Sequence, residues 1–123
     1  MAKIVAVIGA SADRRKYGNK ALRAFRQQGY DAIPVNPHES EIEGLTTFGS
    51  VLDIPGPVDM ATLYVQPEVG AQVMEEIARK QIGEVWLNPG ADHPSVVSRA
   101  KALGIQPIIA CSILGIGDTP SRY

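Results

Sequence analysis

Short apolar runs alternate with amphipathic segments along the chain. The first run, residues 3–8, is rich in β-branched side chains and closes at Gly9, which predicts a strand buried on both faces of a sheet. Because Pro34 cannot donate a ladder hydrogen bond, the second predicted strand is expected to be short or near a sheet edge. The predicted main strands are residues 3–8, 31–35, 58–65, 84–87 and 106–110.

Helical periodicity marks the segments between these strands. Pro67 suits the first position of a helix, and Gly29 suits the residue that follows a helix. Val69, Val73 and Ile77 recur at a spacing of four and are expected to form a buried stripe. The predicted helices are residues 19–28, 67–80 and 94–103.

Strands that alternate with helices predict right-handed crossovers and a parallel sheet. We therefore expect an α/β fold: a three-layer α/β/α, Rossmann-like open sheet of five parallel strands in the order 3-2-1-4-5. Residues 38–56 are expected to add only a small strand at 46–50 and a helical turn at 51–54, and residues 111–123 to form a tail. A length of 123 residues fits one domain, residues 1–123.

Composition excludes several classes of protein. Apolar residues make up 45% and charged residues 20% of the chain, as in an ordinary globular domain. A net charge of -1 speaks against a nucleic-acid binder, and a single Cys with two His speaks against a disulfide or a zinc site. The apolar runs are too short to span a bilayer, and the N-terminus does not resemble a signal peptide. We expect a cytoplasmic protein without nucleic-acid or membrane partners.

The predicted architecture locates a candidate site before any motif is considered. Ligands of open parallel sheets bind beyond the carboxyl ends of the strands, where the strand order reverses. Gly9, Asn36, Gln66, Asn88 and Cys111 each follow a predicted strand. All five are therefore expected at one edge of the sheet.

The loop after the first strand combines glycine with positive charge. Backbone N–H groups of residues 9–11 could bind a phosphate at the start of the following helix. The dinucleotide fingerprint G-x-G-x-x-G fails, because Ser11 and Arg14 occupy its second and third glycine positions, and this disfavours an ordinary NAD site. Arg14 and Lys16 are expected to share a side, as alternate residues of an extended segment do. A tight turn with an incidental charge cluster is the alternative.

Positive charge continues into the first predicted helix. Six of the twelve Lys and Arg residues fall between residues 14 and 26, with no Asp or Glu among them. Lys20, Arg23 and Arg26 lie at helical spacing opposite the apolar positions, and we expect them to form a solvated face.

Several segments at predicted strand ends resemble those of the small single-domain CoA-binding proteins, whose fold is similar to the N-terminal domain of the succinyl-CoA synthetase α subunit. These segments are VIGAS at residues 7–11, KYG at 16–18, PVNP at 34–37, LYVQP at 63–67 and VWLNPG at 85–90, followed by Cys111. The resemblance covers nearly the whole chain.

The resemblance implies CoA as the bound cofactor and assigns roles to individual positions. The phosphates would lie against Gly9, Ala10 and Ser11, and their charge would be neutralised by Arg14 and Lys16. The adenosine would face Asn36, and the wall beside the ligand would comprise Val65, Gln66 and Pro67. The pantetheine arm would lie nearer to Asn88, Gly90 and Cys111.

The sequence offers no positive sign of catalysis. The chain order supports no Ser-His-Asp set, no paired carboxylates at strand ends and no metal-ligand spacing. Cys111 ends the last predicted strand and is expected to be buried, without a flanking cation to activate it.

Three hypotheses follow from these observations. The favoured one is a CoA or acyl-CoA binding module that is not an enzyme. The second is a Rossmann-like domain for another nucleotide, such as NAD(P). The third is a degenerate fold kept for protein–protein contact or assembly into a homo-oligomer, which the apolar residues 113–116 favour because they could cover a partner surface.

Overall fold

A computed structural model of the chain describes residues 2–123. Its strands are β1 (Ile4–Ile8), β2 (Asp31–Val35), β3 (Glu41–Ile42), β4 (Leu45–Thr46), β5 (Met60–Leu63), β6 (Glu84–Leu87) and β7 (Ile108–Ile109). Its α-helices are α1 (Tyr17–Gln27), α2 (Pro67–Lys80), α3 (Pro94–Ala102) and α4 (Ser112–Gly115), with short 3-10 turns at Val51–Asp53 and Pro120–Arg122. Five strands form one parallel sheet in the order β2-β1-β5-β6-β7, and β3 and β4 form a separate antiparallel hairpin.

The predicted fold class is confirmed, but the predicted strand order is wrong at one position. The third main strand was expected outside the second, whereas β5 lies between β1 and β6. All four residues of β5 are buried, as a central strand requires. β2 is the strand that suits an edge, because the carbonyl of Pro34 faces outward and accepts a hydrogen bond from the Phe48 amide at 3.1 Å. The nitrogen of Pro34 faces the same side, where no ladder donor is required.

Helices cover both faces of the sheet and create the three layers that the sequence predicts. Val5 and Val7 face α1, whose buried positions include Leu22 and Phe25. The intervening Ala6 and Ile8 belong to the core on the opposite face, which α2 and α3 cover. This alternation follows from the side-chain period of two along a strand.

The segment after β7 folds back onto the protein. Ile113, which the hypothesis of protein–protein contact placed against a partner, is fully buried in the core beneath α1, and Leu114 is the large apolar residue of α4 that stays exposed. Asp118 anchors the end of this segment by accepting hydrogen bonds from the Tyr123 hydroxyl at 2.6 Å and from Gln28 Nε2 at 3.1 Å. The Tyr123 hydrogen bond is the largest of the effects that lower the pKa of Asp118 to about 2.

The length and hydropathy of each helix determine whether it could span a membrane. Among residues 2–123, no helix is both long and apolar enough to cross a lipid bilayer.

Two glycines let three backbone segments meet closely. Gly9 has a φ of +90°, and a Cβ at this position would lie 2.3 Å from the Tyr64 carbonyl oxygen. A Cβ on Gly18, in the first turn of α1, would lie 2.2 Å from the Gly9 carbonyl oxygen. The end of β1, the residue after β5 and the start of α1 are therefore held in contact with no room for a side chain.

We expect Gly18→Ala to destabilise the protein, because the obstructing atom is backbone and cannot rotate away. Overpacking of this kind costs about 1–3 kcal/mol, which thermal or urea unfolding would detect. Gly83→Ala is the matched control, since a Cβ on Gly83 would meet no atom within 4 Å and Gly83 has no positive φ. Equal stability of the two variants would contradict the close packing of Gly18 against Gly9.

Candidate functional site

Two adjoining cavities lie beyond the carboxyl ends of β1 and β5. The larger has a volume of about 490 Å³ and extends from the end of β2 to α2. The smaller has a volume of about 220 Å³ and extends from the start of α1 to the loop after β6. Gly9, Tyr64, Val65 and Gln66 line both. This position is where the strand order reverses, since β2 lies on one side of β1 and β5 on the other.

The five residues expected at one edge of the sheet are found there. Gly9, Asn36, Gln66, Asn88 and Cys111 follow β1, β2, β5, β6 and β7, and all these strands are parallel. The sequence therefore correctly predicted that these five residues share one edge, although the predicted strand order was wrong.

The larger cavity has mostly apolar walls and a polar far end. Val69 was expected in the buried stripe of α2, but it faces this cavity and 47% of its surface is exposed. At the far end the Ser50 hydroxyl donates to Glu76 Oε1 at 2.6 Å. A flat apolar group with polar edges matches such a slot better than a phosphate does. The other apolar lining residues include Val35, Val51 and Val73.

The smaller cavity is electropositive at the start of α1. Lys16 precedes the helix and lines the cavity, its side chain does not cap the helix, and the first turn contains no acidic residue. Gln66 likewise precedes α2 without a side-chain cap. The first N–H groups of a helix lack intrahelical partners, and the helix dipole adds positive potential there. The start of α1 and one ammonium group thus favour an anion in this region, whereas the first turn of α2 carries the carboxylate of Glu68.

Six of the twelve residues predicted for the site line the two cavities, and six do not. The lining residues are Gly9, Lys16, Asn36, Val65, Gln66 and Gly90. The residues outside the lining are Ala10, Ser11, Arg14, Pro67, Asn88 and Cys111.

The loop after β1 uses its polar groups to hold its own shape. The Gly9 amide donates to the Val35 carbonyl at 3.1 Å, so this N–H is not free for a phosphate. Asn36 Nδ2 donates to the Ala10 carbonyl at 2.8 Å, and the Ser11 hydroxyl accepts from the Asp13 amide at 3.0 Å. Asn36 therefore joins the end of β2 to the loop, and its amide group is not available in full to a ligand.

The side chain of Asn88 is buried and, like that of Asn36, makes its hydrogen bonds within the protein. Its Nδ2 donates to Thr62 Oγ1 at 2.7 Å, and its Oδ1 accepts from the Ser112 amide at 2.8 Å. The Ser112 hydroxyl also lies 3.2 Å from the Tyr64 hydroxyl, and burial raises the pKa of Tyr64 to about 12. Cys111 is half-buried beside this network, so its expected burial is met in part.

The predicted pairing of Arg14 with Lys16 is wrong in its geometry. The Lys16 amide donates to the Asp13 carbonyl at 3.1 Å, which makes the segment a turn, and the side-chain period of two applies only to extended chain. Arg14 Nε lies 3.4 Å from Glu43 Oε2, in a groove separate from both cavities. Arg15 pairs with Asp13 and lowers the pKa of that carboxyl group to about 2.

Most residues that line the two cavities were not among the predicted site residues, and three of these omissions are informative. Tyr64, predicted to pack within a strand, follows the last residue of β5 and lines both cavities. Val69 was predicted to be core, and Gly18 was not recognised as the glycine that lets α1 approach the loop. The sequence did not reveal the position of Tyr64, because residues 58–65 were predicted as one continuous strand, whereas β5 ends at Leu63. Within residues 2–123, no group of three His, Cys, Asp or Glu residues could hold a metal ion.

The chain is similar to several known proteins, and three of them are as follows. The α subunit of the ADP-forming acetate–CoA ligase II of Pyrococcus furiosus is 37% identical, with 94% of this chain and 27% of that subunit covered. The solved structure of a conserved hypothetical protein from Pyrococcus furiosus has a TM-score of 0.83 and 32% identity, and covers 94% of this chain and 99% of its own. A hypothetical protein from Pyrococcus horikoshii OT3 has a TM-score of 0.85 and 28% identity, covering 92% and 80%. The chain thus spans about a quarter of the ligase subunit's length.

The family comparison covers nearly the whole chain. The profile of the CoA binding domain matches residues 3–116, which include all seven strands and every residue that lines the two cavities. The chain belongs to the CoA binding domain family.

Proposed function

We propose that this chain binds CoA or acyl-CoA at the two joined cavities and carries out no chemistry of its own. The observation that carries the proposal is the division of the site: an apolar slot on one side of Gly9 and Tyr64, and a cationic helix start on the other. CoA has the same division, because a planar base and an anionic pyrophosphate are joined in one molecule. Its family and its similarity to a ligase subunit support the same ligand.

The proposed placement assigns each part of CoA to a region of matching chemistry. The adenosine occupies the larger cavity between β2 and α2, where Val65 and Val69 offer apolar contact. The pyrophosphate lies near Lys16 and the start of α1. The pantetheine arm runs through the smaller cavity past Pro89 and Gly90. This placement relies on Lys16, the cavity walls and the helix start, and it does not use the side chains of Asn88 or Cys111.

The proposed absence of chemistry follows from the groups at the site. Tyr64 has a raised pKa of about 12, so its hydroxyl stays protonated near neutral pH and is a poor base. Cys111 lies outside the lining of both cavities. The ligase subunit's similarity to this chain is confined to about a quarter of that subunit, so its reaction is not transferred here.

A thermal-shift panel of CoA, acetyl-CoA, NAD, NADP and ATP tests the proposed ligand. CoA and acetyl-CoA are expected to raise the Tm, because a ligand present at about 100 times its Kd stabilises the native state by about 2.7 kcal/mol. A larger rise in Tm with NADP or NAD than with CoA would indicate that the ligand is a dinucleotide and not CoA. No shift with any ligand would favour the hypothesis of a fold kept for protein–protein contact.

Lys16→Ala is expected to weaken CoA binding by about tenfold or more, because a well-made charge-assisted contact contributes roughly 1.5–3 kcal/mol. Isothermal titration calorimetry at two salt concentrations would measure the loss and its screening. Lys16→Arg should retain most of the affinity. Lys101→Ala is the matched control, since Lys101 is exposed in the last turn of α3 and lines neither cavity. Equal losses in the Lys16→Ala and Lys101→Ala variants would count against the pyrophosphate placement.

Val69→Phe is expected to fill the larger cavity and to exclude the adenosine, since Val69 is already largely exposed and the change should leave the core intact. CoA affinity should fall by about tenfold or more, because overpacking a contact costs about 1–3 kcal/mol and about 1.4 kcal/mol corresponds to a tenfold change in Kd. Binding of 4′-phosphopantetheine, which lacks the adenosine, should not change. Leu52→Phe is the control, because Leu52 is 37% exposed but lies outside the cavity lining. If Val69→Phe weakens both ligands equally, the base does not occupy this cavity.

A further inference from the structure

A third concavity gathers most of the charge cluster that the CoA site does not use. It has a volume of about 500 Å³ and shares no lining residue with the two cavities described above. The lining residues are Arg14, Arg23, Arg26, Gln27, Glu43 and Tyr123. We call it the arginine groove. Arg23 and Arg26 are i, i+3 neighbours on one face of α1, and Arg14 of the preceding loop joins them at this depression.

Arg23 is held in place at the centre of the arginine groove. Its Nε donates to Asn19 Oδ1 at 2.7 Å, and its Nη2 donates to the main-chain oxygens of Arg14 at 2.9 Å and Tyr123 at 3.3 Å. Its guanidinium carbon also lies 5.6 Å from the centroid of the Tyr123 ring. The side-chain entropy of ordering this arginine is therefore already lost before any ligand arrives.

An oxyanion position already exists in the groove and is filled by the protein's own carboxylate. Glu43 Oε2 accepts a hydrogen bond from Asn19 Nδ2 at 3.1 Å and lies 3.4 Å from Arg14 Nε. Asn19 is fully buried, so its amide is a fixed donor rather than a mobile surface group. The main-chain carbonyl of Glu43 accepts from Arg26 Nη1 at 3.3 Å. Two cationic side chains and a buried amide thus contact one residue.

Glu43 reaches this position through an unfavourable backbone conformation. Its φ is +52°, and it is one of two residues other than glycine with a positive φ in the described chain. It lies in the tight turn between β3 and β4, where such a conformation is tolerated best by Gly, Asn or Asp. A glutamate keeps a left-handed backbone conformation only where surrounding contacts offset its energetic cost. Here those contacts are the hydrogen-bond donors of the arginine groove.

Charge in the groove remains unbalanced even with Glu43 bound. Among the lining residues, three arginines face one carboxylate side chain, that of Glu43, and the main-chain carboxyl oxygen of Tyr123, which lies 3.3 Å from Arg23 Nη2. A phosphate group brings up to two negative charges and several acceptor oxygens, and planar guanidinium groups match it in paired hydrogen bonds. We propose that the arginine groove is a second anion site, which takes a phosphate group and in which Glu43 occupies the oxyanion position when no ligand is bound.

The phosphate could come from two sources. One is inorganic phosphate or pyrophosphate, free in solution. The other is the 3′-phosphate of a CoA molecule bound at the neighbouring cavities, because Arg14 and Lys16 belong to the same loop and lie in the groove and the smaller cavity respectively. The chemistry of recognition is the same for both.

Inorganic pyrophosphate, titrated at constant ionic strength, is the direct probe. The side-chain Nε–Hε resonances of Arg14, Arg23 and Arg26, followed by NMR, should shift saturably in the parent protein and in Lys16→Ala, which lacks the cation of the CoA site. The double variant Arg14→Ala/Arg26→Ala should bind about tenfold more weakly, as expected when charge-assisted contacts are lost. Arg23 is left unchanged because it also secures Asn19 and Tyr123.

Two matched controls separate a site from a general effect of charge. Arg79→Ala/Lys101→Ala removes the same charge from other helices and should leave pyrophosphate affinity unchanged. Glu43→Gln should tighten pyrophosphate binding, because it weakens the competing occupant, whereas Glu68→Gln on α2 should not. Shifts that never saturate, or equal effects in the groove variants and their controls, would overturn the proposal.

The source of the phosphate is settled by a second pair of titrations. If it is the 3′-phosphate of CoA, Arg14→Ala/Arg26→Ala should weaken CoA but not dephospho-CoA. If it is a separate anion, neither ligand should be affected, and pyrophosphate binding should still respond to the groove variants. Either result supports the anion site, and the pyrophosphate titration can fail while CoA binding succeeds.

Discussion

The architecture of the site depends on one backbone contact, in which the chain after β1 passes against the residue after β5 and the first turn of α1. Gly9 and Gly18 make this contact possible, since a Cβ on either would lie less than 2.5 Å from a carbonyl oxygen. With Tyr64, Gly9 forms the boundary between the two cavities. The same contact fixes where the N-terminus of α1 points, so shape and electrostatic potential at the site have one structural origin.

The turn that follows this contact distributes the positive charge. Since the segment from Asp13 to Lys16 turns rather than extends, its consecutive cations face different surroundings. Lys16 reaches the smaller cavity, Arg15 pairs with Asp13, and Arg14 lies against Glu43. A sequence that looks like one basic patch thus supplies one cation to the proposed CoA site and another to the arginine groove.

The sequence predicted elements well and side-chain directions poorly, for physical reasons. β2, α2 and β6 were predicted to the residue because apolar runs, Pro67 and the flanking turns specify them locally. Strand order depends on which edges pair across the chain, and the one local indication, Pro34 as an edge residue, was not applied to it. The ligand-binding roles assigned to Asn36 and Asn88 stay predictions, because an amide at a strand end serves a ligand or a neighbouring loop equally well and both amides hydrogen-bond within the protein.

The polar side chains at the strand ends bear on how the proposed site could distinguish one acyl group from another. The amides and hydroxyls near the strand ends, those of Asn36, Asn88 and Ser112, are engaged in holding loops together. The smaller cavity, through which the pantetheine arm is proposed to run, is lined by Pro89, Gly90 and Ala91 and also by the polar side chains of Lys16, Tyr17, Tyr64 and Gln66. Discrimination between acyl groups by hydrogen bonding requires a positioned donor or acceptor at the acyl end, because small differences in apolar contact separate ligands only weakly. In the proposed placement, the polar side chains that line the path of the arm and are not assigned to the pyrophosphate are those of Tyr17, Tyr64 and Gln66.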